Sequence, residues 1–310
     1  MVQGSRLGEI LKRATIPRKV VSRGAGWRDT AFWPVDKLVV AYFAFMAGLL
    51  LLWRGSVPHA DLLLLWHVAG AALLVYQIKR PNPTSWLFRN WYPVIYVASC
   101  YKEMADFLPL ARHVLYDQQL ADLDQSIWGL QPAVWLTRIQ TPELTEFLQW
   151  VYTFFVPAVL LVAFILWHRR QEEDFQYYSF LIVLGYLVSY LGYVLLPARG
   201  PRFLLKDLEH MPLHGLWLFE GMQSTLDKLE SVAYDAFPSG HTELTILAWW
   251  SSKAVSKRWF RAYFGYTLSI IFATVYLRYH YTVDVLAGAI VAVVLIAATP
   301  FLYRKLQRGV

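Results

Sequence analysis

Three short polar clusters interrupt a chain that is otherwise largely apolar: PARGPRF at 197–203, AFPSGHT at 236–242 and LRYHYTVD at 277–284. His280 and Asp284 stand four residues apart, a spacing that puts both on one helix face and lets a carboxylate orient an imidazole. Such a carboxylate supports the imidazolium form, the role of the third member of a nucleophilic triad. His241 adds a second imidazole, so nucleophile and general acid can be different residues. Arg199, Arg202 and Arg278 carry guanidinium forks suited to bidentate phosphate binding. Ser239 and Gly240 precede His241 where a helix opens, and unpaired N–H groups with the helix dipole favour an anion there. Gly240 lets a phosphate approach the backbone closely. The chemistry these types allow is phosphoryl transfer through histidine.

Each piece taken singly has a plainer reading. A lone His at a helix end is more often a surface residue, and an Arg near a span end usually marks the interface. Ionisable groups at membrane depth are nevertheless expensive and normally functional. The chemistry therefore depends on whether the fold brings the three clusters together.

The elements that must do so are membrane helices. Of 310 residues, 57% are hydrophobic and 16% charged, with mean hydropathy +0.36, above the apolar content of soluble domains. Fourteen Trp and nineteen Tyr fit the headgroup layer, where one end of the ring is apolar and the other wet. Apolar runs near 36–53, 61–78, 92–108, 144–167, 176–196, 240–256, 262–278 and 281–303 predict an all-α polytopic membrane helix bundle of about eight spans. The sixth is short, and both it and the third carry polar residues. The basic residues flank these runs in small groups, so the net charge of +7 points to membrane topology and not to nucleic acid. No cleavable signal peptide is expected after the basic first 35 residues.

A cytoplasmic N-terminus places about 19 basic residues inside, among them Lys79, Arg80, Arg169, Arg170, Lys257 and Arg304, against about 8 outside. An even span count puts both termini in the cytoplasm, in the cell (inner) membrane. The three polar clusters then share the extracytoplasmic face. Two outside segments, near 109–143 and 197–238, exceed simple turns. The first reads as short amphipathic helices lying in the interface.

The FPSGHT and HYTVD strings resemble the second and third motifs of the type 2 phosphatidic acid phosphatase superfamily, which also includes vanadate haloperoxidases. The resemblance implies that His280 attacks phosphorus to form a phosphohistidine, that Asp284 orients it, and that His241 protonates the leaving oxygen. It implies a six-helix catalytic core over 92–310, a two-span addition over 36–91 and a basic arm over 1–35. In the phosphatases a Lys precedes the first-motif Arg by seven positions and an Arg precedes the third-motif His by six; here these positions hold Leu195 and Thr274. These departures, with GPR and HYTVD, look like the branch containing inositol phosphorylceramide synthase and sphingomyelin synthase, as does segment 124–152. The Ser239-Gly240 pair matches the phosphatases instead. Arg202 best matches the first-motif Arg, while Arg199 and Arg278 are assigned by proximity.

Other residues have bland readings. Cys100 stands alone in an apolar run and has a packing role. Lys102, Glu103 and Asp106 form a structural network or pair with a site arginine. Glu243 supports His241 or simply favours a helix start. No His, Cys or carboxylate spacing predicts a metal site, and no cofactor is expected. The functions in contention are hydrolysis of a lipid phosphate, which is preferred, transfer of a phospho-headgroup to a lipid or inositol-type alcohol, and, remotely, a transporter or scramblase. A transporter would spread polar residues through the span centres; here they gather at one boundary.

Overall fold

A proline at the first helical position and an aspartate at the third start the chain's first helix, because Pro34 lacks an N–H that would go unbonded and the Asp36 carboxylate accepts the Trp33 N–H at 2.8 Å. The computed structural model describes residues 30–111, 115–205, 210–229 and 234–307. Most of the expected basic arm (1–29), Arg112, Lys206 and Arg308 lie outside them. The described residues are helical, with one isolated bridge between Ala198 and Asp235.

Helix α1 (Pro34–Leu52) and α2 (Ala60–Lys79) form an antiparallel hairpin. It packs on α3 (Pro83–Ala111) and α8 (Glu172–Leu195). Between α3 and α8 along the chain come α4 (Asp117–Trp128), α5 (Pro132–Trp135), a 3-10 turn and the pair α6 (Pro142–Thr153) and α7 (Phe155–His168). After α8 come α9 (Pro201–Leu204), α10 (Phe219–Leu229), α11 (Gly240–Ser252), α12 (Lys257–Tyr276) and α13 (Thr282–Gln307). Helix α11 sits at the centre, touching α7, α8, α12 and α13.

Helices stand at all eight expected places, yet only α1, α2, α8 and α13 are long and apolar enough to cross a bilayer by themselves. The α6–α7 pair would make a fifth, bent by 46°. The bend has a local cause. Pro157 has no N–H to give the Thr153 carbonyl, so the helix ladder breaks there. The other three helices are shorter or more polar, as expected for the third and sixth runs but not for the seventh. Helix α11 has 13 residues, about 20 Å at 1.5 Å per residue. Helix α3 carries Arg89, Asn90, Lys102, Glu103 and Asp106, and α12 opens on Lys257, Arg258 and Arg261. The set of long apolar helices makes this an integral membrane protein.

The N-terminal hairpin is fastened through buried polar groups. Arg89 on α3 donates to Asp36 at 2.7 Å, Tyr92 donates to the other carboxylate oxygen at 2.7 Å, and the guanidinium lies over Trp33. Farther along, His67 meets Glu103 at 2.7 Å, both nearly inaccessible. Glu103 thus pairs with the hairpin and not with Lys102, Asp106 or a site arginine. Cys100 is buried in the same apolar core, in agreement with a packing role.

Candidate active site

The three clusters are tied together mainly by carboxylates of α4. Asp124 accepts Thr282 N at 2.9 Å, Thr282 Oγ1 at 2.6 Å and Val283 N at 3.0 Å, taking up N–H groups that open α13. Asp117, two turns earlier on the same face, accepts Arg199 N at 3.0 Å, Gly200 N at 2.8 Å and Tyr281 Oη at 3.2 Å. Clusters 197–203 and 277–284 therefore hang from one short helix. The third is joined directly, as Ser239 N donates to the Asp284 carbonyl at 3.0 Å and Ala236 N to the Ala198 carbonyl at 3.0 Å. Gly200, at φ 96°, passes so close to the Tyr279 carbonyl that a Cβ would lie 2.3 Å from its oxygen.

His280 is buried just before α13, and its Nδ1 stands 2.8 Å from the Ala236 carbonyl oxygen. A carbonyl only accepts, so Nδ1 carries the proton and Nε2 keeps its lone pair. The Asp284 carboxylate is 3.6 Å from the same Nδ1 and accepts instead from Tyr281 N at 2.8 Å. The expectation that Asp284 holds the imidazole is thus modified: it lies close enough to stabilise charge, while the backbone carbonyl fixes the tautomer. The His241 ring centroid is 5.7 Å from that of His280, and its ring lies between Tyr152 and Phe155, both at 4.4 Å. Those two aromatics flank the α6–α7 bend, so the break at Pro157 shapes the wall of the site.

A cavity of about 470 Å³ opens over these groups, lined by Arg199, Arg202, Asp235, His241 and His280 among others. Arg202 pairs with Asp227 at 2.9 Å and lies over the Tyr279 ring. Arg199 lies over Phe203. Arg278 is not brought here. Its backbone turns at φ 69°, and its guanidinium donates to the Met211 carbonyl at 2.5 Å and to Gln140 Oε1 at 3.3 Å. It holds the loop over α5 and α6, and spacing along the chain misjudged it because the left-handed turn swings the side chain away. Ser239 is also committed elsewhere: it is fully buried, its N–H is taken by Asp284, and its hydroxyl accepts Thr242 N at 3.3 Å as the helix cap. Gly240 is needed for packing, since a Cβ would meet the Tyr193 hydroxyl at 2.5 Å. Glu243 accepts the Ser189 hydroxyl on α8 at 2.6 Å, bracing α11 against α8.

Sequence reasoning passed over Asp235, which stands immediately before the AFPSGHT string. Its carboxylate accepts the Tyr101 hydroxyl at 2.7 Å. Burial pushes this carboxyl up, while the Tyr101 hydrogen bond and the charges of His280 and Arg202 oppose that rise. Asp117 and Asp124 were passed over too, although carboxylates seven residues apart on one helix face were a signal that they act together.

A second cavity of about 370 Å³ runs beside the first, between α3, α7 and α8, with Val94, Val97, Val159, Ile182 and Val183 on its walls. Tyr193, Asp235 and His241 line both cavities. Among the described residues no group of three or more His, Cys, Asp or Glu is arranged to hold a metal ion.

No curated protein and no solved structure matches the chain. A family model described as the PAP2 superfamily matches residues 118–298, more than half of the chain. The matched stretch runs from α4 into α13 and contains His241, His280, Asp284 and both cavity arginines, whereas α1 to α3 precede it. On that match the chain belongs to the PAP2 superfamily, whose members are typically phosphatases and phosphotransferases.

Proposed function

We propose that this protein removes or transfers the phosphoryl group of a membrane lipid through a phosphohistidine on His280, with hydrolysis as the preferred outcome. The observation that carries this reading is the wall shared by a basic, polar cavity and an apolar one. A molecule with a phosphate at one end and a hydrocarbon chain at the other fits that pair of spaces. Arg202 and Arg199 receive the phosphate oxygens. His280 Nε2 attacks phosphorus, the bond to the leaving oxygen breaks, and His241 gives that oxygen a proton. Asp284 offsets the positive charge that develops on His280. Water then discharges the intermediate. The alternative, an alcohol acceptor as in the inositol phosphorylceramide synthase branch, is favoured by Leu195 and Thr274 standing where the phosphatases have Lys and Arg. Arg278 and Ser239 serve the site from outside the cavity in this reading.

Vanadate is expected to inhibit, because a five-coordinate vanadate on His280 imitates the transferring phosphoryl group and such mimics bind more tightly than substrate. Inhibition constants at least about 100-fold below KM are expected. EDTA leaves the rate unchanged in a metal-free mechanism; activity lost to chelator and restored by a divalent ion would overturn it.

Our reading puts this site at the extracytoplasmic face of a six-helix core made of α3, α6–α7, α8, α11, α12 and α13, and the distribution of basic residues supports it. Arg169, Lys257 and Arg304 lie at the ends of helices opposite to His241 and His280. Ser224 on α10 and Lys257 at the start of α12 are both exposed. In a Cys100→Ala background, Ser224→Cys is expected to react with an impermeant thiol reagent on intact cells and Lys257→Cys to be spared. The reverse pattern would place the site in the cytoplasm.

A further inference from the structure

The second half of the reaction needs a group to receive the acceptor, and the geometry points to Asp235 as the residue that holds the O–H of the incoming water or alcohol and takes its proton. This rests on the phosphohistidine reading. Asp235 lies in the stretch that carries the Ala236 carbonyl, the group 2.8 Å from His280 Nδ1, and it lines the cavity beside both histidines. Two pairings fix it there: the Tyr101 phenol donates to Oδ2 at 2.7 Å, and the backbone bridges to Ala198. Burial pushes this carboxyl up, but the phenol donor and the nearby His280 and Arg202 favour its ionised form, and that form can only accept hydrogen bonds.

That property sorts the possible roles. An ionised carboxylate repels a phosphate, so it is a poor phosphate ligand, and it has no proton for a leaving oxygen. Asp227, the other carboxylate in the cavity, is paired with Arg202 at 2.9 Å, whereas among the described residues Asp235 has no Lys or Arg partner within 4.0 Å. What Asp235 can do is accept the hydrogen of an O–H. In-line displacement makes the leaving oxygen of the first step and the entering oxygen of the second use the same side of phosphorus, opposite His280. His241 and Asp235 both line the wall that the two cavities share. The acceptor oxygen forms its bond to phosphorus, the P–Nε2 bond breaks with its electron pair remaining on His280, and the acceptor's proton passes to Asp235. It then leaves through the cavity to solvent.

Asp235 thus governs discharge and not formation of the intermediate, which a merely structural residue would not. The test uses purified full-length chain with phosphatidic acid radiolabelled in its phosphate, quenched at intervals in alkali, where phosphohistidine survives. Asp235→Asn is expected to form labelled protein at the wild-type rate, to hold at least about tenfold more label at steady state, and to turn over about 100-fold more slowly, the low end for lost acid–base help. Tyr101→Phe, which removes only the phenol, is expected to shift both quantities the same way by a smaller factor. Discharge is followed in water alone and with added glycerol; the acceptor whose rate falls further is the one Asp235 holds. Label that forms as slowly as it discharges, or no accumulation in either variant, would overturn the assignment while leaving the phosphohistidine intact. Absence of His280-dependent label in the wild type would overturn both readings.

Discussion

Replacing His280 with alanine is expected to abolish turnover, by at least about four orders of magnitude, while the helices stay in place. The size follows from the role: a nucleophile replaced by a methyl group leaves no atom to receive phosphorus, and loss of such a residue typically removes nearly all rate enhancement beyond binding. Arg202, Arg199 and His241 remain, so substrate still binds, and the loss appears in kcat with KM little changed. The fold survives because the site is tied by other bonds. Ala236 N keeps the Ala198 carbonyl, Ser239 N keeps the Asp284 carbonyl, and Asp124 keeps the start of α13. The lost bond to the Ala236 carbonyl costs stability on the order of 1 kcal/mol. Phosphate release from a radiolabelled lipid, alongside a thermal melt, checks both halves. A variant retaining more than about a tenth of the rate would remove His280 from the nucleophilic role.

Asp284→Asn is expected to have the next largest effect, and its size separates two ways of holding a histidine. Where a carboxylate fixes the tautomer, the amide substitution costs about 10⁴ in kcat. Here Nδ1 faces the Ala236 carbonyl at 2.8 Å, with Asp284 at 3.6 Å, so the tautomer outlasts the substitution and only the stabilising charge is lost. The asparagine oxygen can still accept from Tyr281 N. The expected loss is therefore about 100-fold, roughly 2.7 kcal/mol of barrier. Wild-type turnover would free Asp284 from the mechanism. A loss equal to that of His280→Ala would mean that the carboxylate, and not the carbonyl, sets the tautomer.

Much of this site was legible in the chain, for identifiable reasons. His280 and Asp284 share a four-residue spacing that a helix start converts into proximity, and His241 follows a proline-serine-glycine turn that opens a helix. Apolar runs marked every long helix and the shortness of α11, although runs alone did not show that Pro157 would split 144–167. Arg278 was misjudged because closeness in sequence to His280 says nothing about a left-handed backbone that turns the guanidinium toward Met211 and Gln140. Ser239 was read as binding phosphate at a helix start, whereas its hydroxyl caps α11. Asp235 and Tyr152 were out of reach because their partners lie far off in the chain and spacing reads only neighbours, whereas the seven-residue spacing of Asp117 and Asp124 was a signal left unused.

The carboxylates of α4 also set an order of events. Asp117 waits 82 residues for Arg199, and Asp124 waits 158 for Thr282. Contacts so distant in the chain form slowly, since a long loop must close before they give any return. The apolar helices on either side can enter the bilayer one after another as they emerge. Only when α13 has arrived do the loop at 198–200 and the turn at 280–283 both find their anchors, so the chain is embedded in the membrane well before it is competent. A chain cut short of residue 284 is therefore expected to insert into the membrane without a complete candidate site.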